Sequence, residues 1–203
     1  MKKPPKKLKK VYGVGINDAD YVVQPTRPDG KRSICPYYLA WLNMLTRAYS
    51  PKSHARRPTY SGVTACEEWH SFMAVRAWME TQDWQGKQLD KDIIAPGNKV
   101  YSPDTCVFVS PALNTLLTDS AAARGEWPIG VSWRKDHKKF QAYIEEGGKQ
   151  RHLGYFTCPQ EAHMAWRNAK VSLVREAAYD QADIRIKRGL LLHAARIERG
   201  EAH

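Results

Sequence analysis

Long apolar runs are missing from this chain: none approaches the roughly 20 residues that a bilayer-crossing helix needs, so a helical membrane span is not expected. Paired cysteines are missing too. Cys35, Cys66, Cys106 and Cys158 are widely separated, with no Cys-x-x-Cys pair, which argues against a disulfide framework or a finger-type zinc site and favours reduced, buried thiols in a cytosolic protein. Acidic residues are short as well, 21 Asp and Glu against 32 Lys and Arg, leaving a formal charge of +11. Glycine and proline number only 13 and 12 in 203 residues while 42% of residues are hydrophobic. That balance excludes a disordered polymer and allows one or two small cores.

The positive charge should attract polyanions, nucleic acid first among them. Six lysines fall in the first ten residues, Lys2, Lys3, Lys6, Lys7, Lys9 and Lys10, beside Pro4 and Pro5. This stretch reads as neither signal peptide nor helix, but as a flexible basic arm over 1–10 that lies along phosphates or merely stays solvated. A mixed zinc site from Cys66, Cys106, His54 and His70 is a minor alternative for the thiols.

Along the chain, 11–23 mixes Gly, Asn and Asp with β-branched and aromatic residues, which favours short strands and turns. The spacing of Leu39, Leu42, Met44, Leu45 and Ala48 predicts a helix over 37–49; Trp69, Phe72, Met73 and Ala77 predict a second over 66–79. A strand, a loop and a second strand are expected in 88–110, a helix opening on Pro111 over 111–118, and a linker over 121–127. Three strands follow within 130–156, with Phe140, Ala142 and Ile144 facing a core while Gln141, Tyr143 and Glu145 form a polar face. Thr157 and Gln160 have capping-box spacing before a long helix carrying Ala162, Ala165, Trp166, Ala169 and Leu173 on one stripe. A basic helical tail with a possible break at Gly189 ends the sequence. The fold class is α+β: an amino-terminal module over 11–120 that contains a strand-strand-helix (ββα) stretch, then a three-stranded antiparallel sheet packed on a long helix over 128–182, then the tail over 183–203.

The ordered fragments Gly130-Val-Ser-Trp-Arg, Phe140-Gln-Ala-Tyr-Ile and Leu153-Gly-Tyr-Phe through Glu161-Ala-His-Met-Ala-Trp166 resemble the ethylene-response-factor (APETALA-type) DNA-binding domain. The resemblance implies a sheet lying in the major groove of double-stranded DNA. Carried over, the groove-facing residues would be Ser132, Arg134, Gln141, Tyr143, Glu145, Gln150 and His152. Arg134 would fork onto guanine and Gln141 or Gln150 onto adenine, while Lys138, Lys139, Lys149 and Arg151 would hold phosphates. This chain has fewer arginines than that family and carries Glu145 where an arginine is usual, so base preference does not transfer.

Upstream, Trp41-Leu-Asn-Met-Leu-Thr-Arg47, Cys66-Glu-Glu-Trp-His-Ser-Phe, Leu89-Asp-Lys-Asp92, Tyr101-Ser-Pro-Asp-Thr-Cys and Asn114 together resemble HNH-endonuclease-like proteins of tailed bacteriophages, over residues 11 to 117. The resemblance implies a nuclease that cuts DNA phosphodiesters with one divalent metal, magnesium or manganese, in a host cell's cytoplasm. Asp90 and Asn114 would hold the ion. Lys91 occupies the general-base histidine position, however, and Thr105 replaces an Asn. A lysine at its ordinary pKa is protonated at neutral pH and a poor base. Asp92, Asn98 and His70 are alternative partners for Asp90 in an altered site. The expectation is therefore a DNA-binding protein, an endonuclease of homing or nicking type, with a catalytically inactive DNA-binding regulator as the alternative; a small-molecule ligand is not expected.

Overall fold

The computed structural model describes residues 10–118 and 126–201. Five lysines of the expected arm, Lys2, Lys3, Lys6, Lys7 and Lys9, and most of the expected linker lie outside the described residues. The chain is α+β and divides after Val109 into two compact units. Among the described residues no helix is long and apolar enough to cross a membrane.

The first unit is built on α1 (Pro36–Tyr49), a short α2 (Pro51–Arg56) and α3 (Phe72–Glu80). Two strand pairs join them: β1 (Thr64–Ala65) runs parallel to β3 (Val100–Tyr101), and β2 (Gln88–Asp90) antiparallel to β4 (Val107–Val109). Helix α1 forms where expected but buries Tyr38, Trp41, Met44, Leu45 and Ala48. Leu39, expected inward, is exposed. The aromatic pair Tyr38 and Trp41 takes the inward side and meets Phe72 at 5.2 and 5.7 Å between ring centres. Trp41 also donates its indole N–H to the carbonyl of Trp69 at 2.9 Å, so a large ring is buried with its polar atom satisfied.

The single helix expected over 66–79 is two elements, a 3-10 turn (Glu67–His70) and α3. Ser71 interrupts it. Its hydroxyl oxygen accepts the Ala74 N–H at 3.0 Å and donates to Asp18 at 2.6 Å, while Asp18 accepts the Met73 N–H at 2.9 Å. A cap made by two side chains satisfies amides that a continuous helix would not leave open. The new start rotates the buried stripe to Phe72, Val75 and Met79 and leaves Ala77 exposed.

The second unit opens with α4 (Pro111–Leu117), capped by Ser110, whose side chain accepts the Leu113 N–H at 3.2 Å. Its centre is the antiparallel sheet of β5 (Val131–Arg134), β6 (Lys139–Glu146) and β7 (Lys149–Phe156), in that spatial order. Then come α5 (Pro159–Tyr179) and α6 (Ile184–Arg199). The first half of α5 lies on the sheet, Ala162 joining Val131, Phe140 and Ala142 in one apolar cluster. Farther along, α5 buries Val171, Val174 and Ala178, and α6, packed on it, buries Ile186, Leu190, Ala194 and Ile197.

The N-cap of α5 is Cys158, not Thr157, and its side chain makes no capping bond to the backbone; Pro159 sets the first helical residue, and the Cys158 thiol donates to the Gln160 carboxamide at 2.7 Å. Gly189 does not break α6. It is buried within the helix. The stop comes at Gly200, in the left-handed conformation with φ 76°, the backbone state that glycine adopts at least cost.

Candidate nucleic-acid interface and candidate metal loop

The sheet presents one face to α5 and the other to solvent. Strand β6 alternates as expected, with Phe140, Ala142 and Ile144 buried and Gln141, Tyr143 and Glu145 on the far face. Across β5, Ser132 opposes Gln141 and Arg134 opposes Lys139, so these four share that face. The β6–β7 hairpin turns through Gly147 and Gly148, both with positive φ (58° and 76°), as a tight two-residue hairpin requires.

Strand β7 changes its phase partway. Tyr155 opposes Gln141 and Gly154 opposes Ala142, but the next pair is His152 with Tyr143. Leu153 is the extra residue of a β-bulge and packs into the core. Tyr155, His152 and Gln150 therefore all join the solvent face, whereas Arg151 and Lys149 oppose Ile144 and Glu146 and alternate to the other side. Arg151 donates to Glu146 at 2.6 Å. Tyr155 is the residue that sequence reasoning missed, and its ring lies 4.3 Å from that of His137 and 4.6 Å from that of His152. Gly154, inside an alternating strand, is the signal that marks the bulge.

Six Lys or Arg stand against three Asp or Glu between residues 131 and 156. Arg134 is engaged: its Nε and Nη2 donate to the two oxygens of Asp136 at 3.1 and 3.0 Å. That fork draws the Asp136 carboxyl down to about 2. Lys138, in the left-handed region at φ 49°, occupies the turn between β5 and β6. To read a base, Arg134 must first leave Asp136.

Strands β2 and β4 pair antiparallel in the first unit, with β3 between them along the chain, while α4 belongs to the second unit; Asp90 ends β2. Its Oδ1 accepts the backbone N–H groups of Asp92 and Ile93, both at 2.7 Å, which shapes the chain's exit from the strand. Burial raises the Asp90 carboxyl above its ordinary value, and the two N–H bonds offset only part of that rise. Lys91 turns inward and is buried. Its ammonium donates to both oxygens of Asp92 at 2.8 and 2.7 Å and to the carbonyl of Asn98 at 2.7 Å. Asn98 closes the loop by donating to the Lys91 and Val100 carbonyls at 3.0 and 2.6 Å.

With all three ammonium protons so placed, Lys91 is a structural cation and has no lone pair for water activation. The Asp92 carboxylate is its counter-ion. His70 is turned to the Tyr49 hydroxyl at 3.1 Å and His54 to the Arg47 carbonyl at 2.8 Å. Cys66 and Cys106 are free, and burial pushes the Cys106 thiol up to about 12. Thr105 bonds Ser102 and the Val100 carbonyl, both at 2.8 Å. Among the described residues no three His, Cys, Asp or Glu side chains gather into a metal-holding group. Asn114 lies on α4 in the second unit and Asp90 in the first. Asp90 can offer a divalent ion its second carboxylate oxygen, a hard ligand suited to magnesium or manganese.

No protein-family model, curated protein or solved structure compared with the chain matches it.

Proposed function

We propose that this chain is a double-stranded-DNA-binding protein that reads the major groove with the solvent face of β5, β6 and β7. The observation that carries the reading is the two-sidedness of this sheet: α5 covers one face, while the other holds Arg134, Lys139, Gln141, Tyr143, Gln150 and His152 together. Amide, guanidinium and phenol groups are the chemistry that hydrogen-bonds base edges, and lysines supply phosphate contacts. Titration of duplex DNA at rising salt tests it. A steep fall of affinity with salt is expected; salt-insensitive or absent binding refutes the reading.

Removing the counter-charge of Arg134 gives a second measurement. Asp136→Ala should tighten duplex binding by about 3-fold or more at low salt, since an exposed pair is weak enough to be exchanged for a phosphate. Unchanged affinity would mean that Arg134 stays away from DNA.

A second reading, metal-dependent cutting of DNA, is favoured by the position of Asp90 at the end of β2, where the strand pairs with β4 and leaves one carboxylate oxygen beyond its two backbone bonds. Lys91 argues against a base at the neighbouring position. A plasmid-nicking assay in magnesium and in manganese separates the readings, and Asp90→Asn is the variant to use. Asparagine keeps the oxygen that accepts the Asp92 and Ile93 amides, whereas alanine would also lose the turn. Because the folded-state pKa of Asp90 is raised, its contribution to stability is full below its ordinary 3.8 and is lost as pH rises through the folded value. Asp90→Asn is therefore expected to match or exceed the native chain in urea midpoint at pH 7. Plasmid left intact by both proteins supports the binding reading alone; nicking present in the native chain and lost in Asp90→Asn establishes the nuclease.

A further inference from the structure

We propose a second phosphate-binding surface on the first unit, formed by Lys52, Arg56 and Arg57 along α2 and the 3-10 turn (Pro58–Tyr60) that follows. It rests on the reading that the chain binds duplex DNA, and it assigns to the first unit a contact separate from the sheet.

The segment from 46 to 66 contains Arg47, Lys52, Arg56 and Arg57 and no Asp or Glu. Lys52, Arg56 and Arg57 are exposed. Several exposed arginines elsewhere are tied to carboxylates, Arg175 to Glu198 and Arg185 to Asp183 among them. Among the described residues no carboxylate lies within ion-pair distance of Lys52, Arg56 or Arg57. Three neighbouring cations left without counter-ions repel one another, and a polyanion relieves that repulsion.

The backbone beneath them is fixed. Ser50 caps α2 by accepting the Ser53 N–H at 3.3 Å, and the Lys99 ammonium donates to the Thr59 and Ser61 carbonyls at 3.1 and 3.5 Å. A fixed bracket presents its cations with little ordering cost. Among the described residues no exposed large hydrophobic side chain lies between 50 and 63, so nothing here would enter a membrane. Serine and threonine hydroxyls in the same bracket suit a phosphate backbone.

The test uses the full chain with Lys52→Ala, Arg56→Ala and Arg57→Ala combined, titrated by fluorescence anisotropy against duplexes of several sequences over a salt series. The slope of log affinity against log salt should become shallower by about 2 to 3, near 0.9 for each phosphate no longer neutralised, and all duplexes should weaken alike. Arg56→Lys with Arg57→Lys should keep the slope. An unchanged slope in the triple alanine variant overturns the proposal. A companion variant, Gln141→Ala with Tyr143→Ala, isolates the sheet. If it lowers affinity while the triple variant does not, the second surface fails and the sheet reading stands; if only the triple variant weakens binding, the reverse holds. A native chain without salt-dependent DNA affinity sinks both.

Discussion

Gly130→Ala should unseat α5 from the sheet, at a cost of about 2–4 kcal/mol, the sum of a left-handed backbone penalty and the strain of overpacking. Gly130 has φ 77°, and a β-carbon added there would stand 2.0 Å from Cδ1 of Trp166. Trp166 is buried and its ring stacks on His163, so it cannot step aside without opening the helix–sheet interface. The same backbone anchors β6, since Tyr143 donates its N–H to the Gly130 carbonyl at 2.9 Å. The consequence reaches function through Tyr143, whose position on the polar face depends on that bond. Amide hydrogen exchange reports the outcome: β5 and β6 should lose protection while α1 and α3 keep theirs. Gly148→Ala is the control, having φ 76° and open space around it. Equal losses for the two variants would mean that Trp166 yields freely and that only the backbone penalty is felt.

Lys91→Met is expected to destabilise the first unit by about 2–3 kcal/mol. Methionine keeps most of the aliphatic stem and removes the ammonium, so Asp92 loses its bidentate bond from Lys91 and the Asn98 carbonyl loses this donor. Breaking a fully buried pair costs roughly 3–5 kcal/mol; the Asp92 side chain is 46% exposed, so water recovers part of that. A double-mutant cycle with Asp92→Asn measured by urea unfolding should give a coupling on the order of 1 kcal/mol or more. Additive losses would show that Lys91 acts through packing alone. Neither magnesium nor manganese should be needed for this loop to fold, because its cation is covalently part of the chain.

Much of the fold could be read ahead of the structure. Alternation in β6 was readable because Phe140, Ala142 and Ile144 obey a strict period of two against one apolar layer. Elements whose phase is reset by a single residue were not. Ser71 restarts a helix because Asp18, 53 residues earlier, completes its cap, and no local pattern reveals such a partner. Leu153 shifts β7 by one, which exchanges the sides of every later side chain and brings Tyr155 to the polar face. At the loop after β2 the sequence placed Asp90, Lys91, Asp92 and Asn98 close together, but proximity along the chain did not say that Lys91 turns inward. Its three acceptors, two of them on Asp92 and one from the backbone, become apparent only when the loop closes.

The two-sided use of α5 bears on where this chain can be cut. Its first turns serve the sheet through Ala162 and Trp166, and its later turns bury Val171, Val174 and Ala178, where α6 packs on the helix. A fragment ended near residue 182 would keep every residue of the polar sheet face yet remove the helix that packs on α5, whose later turns bury Val171, Val174 and Ala178. The smallest piece able to carry that face without an exposed greasy seam extends through Ile197, the last buried residue of α6. The basic carboxy-terminal stretch is thus a wall of the domain rather than an appendage to it.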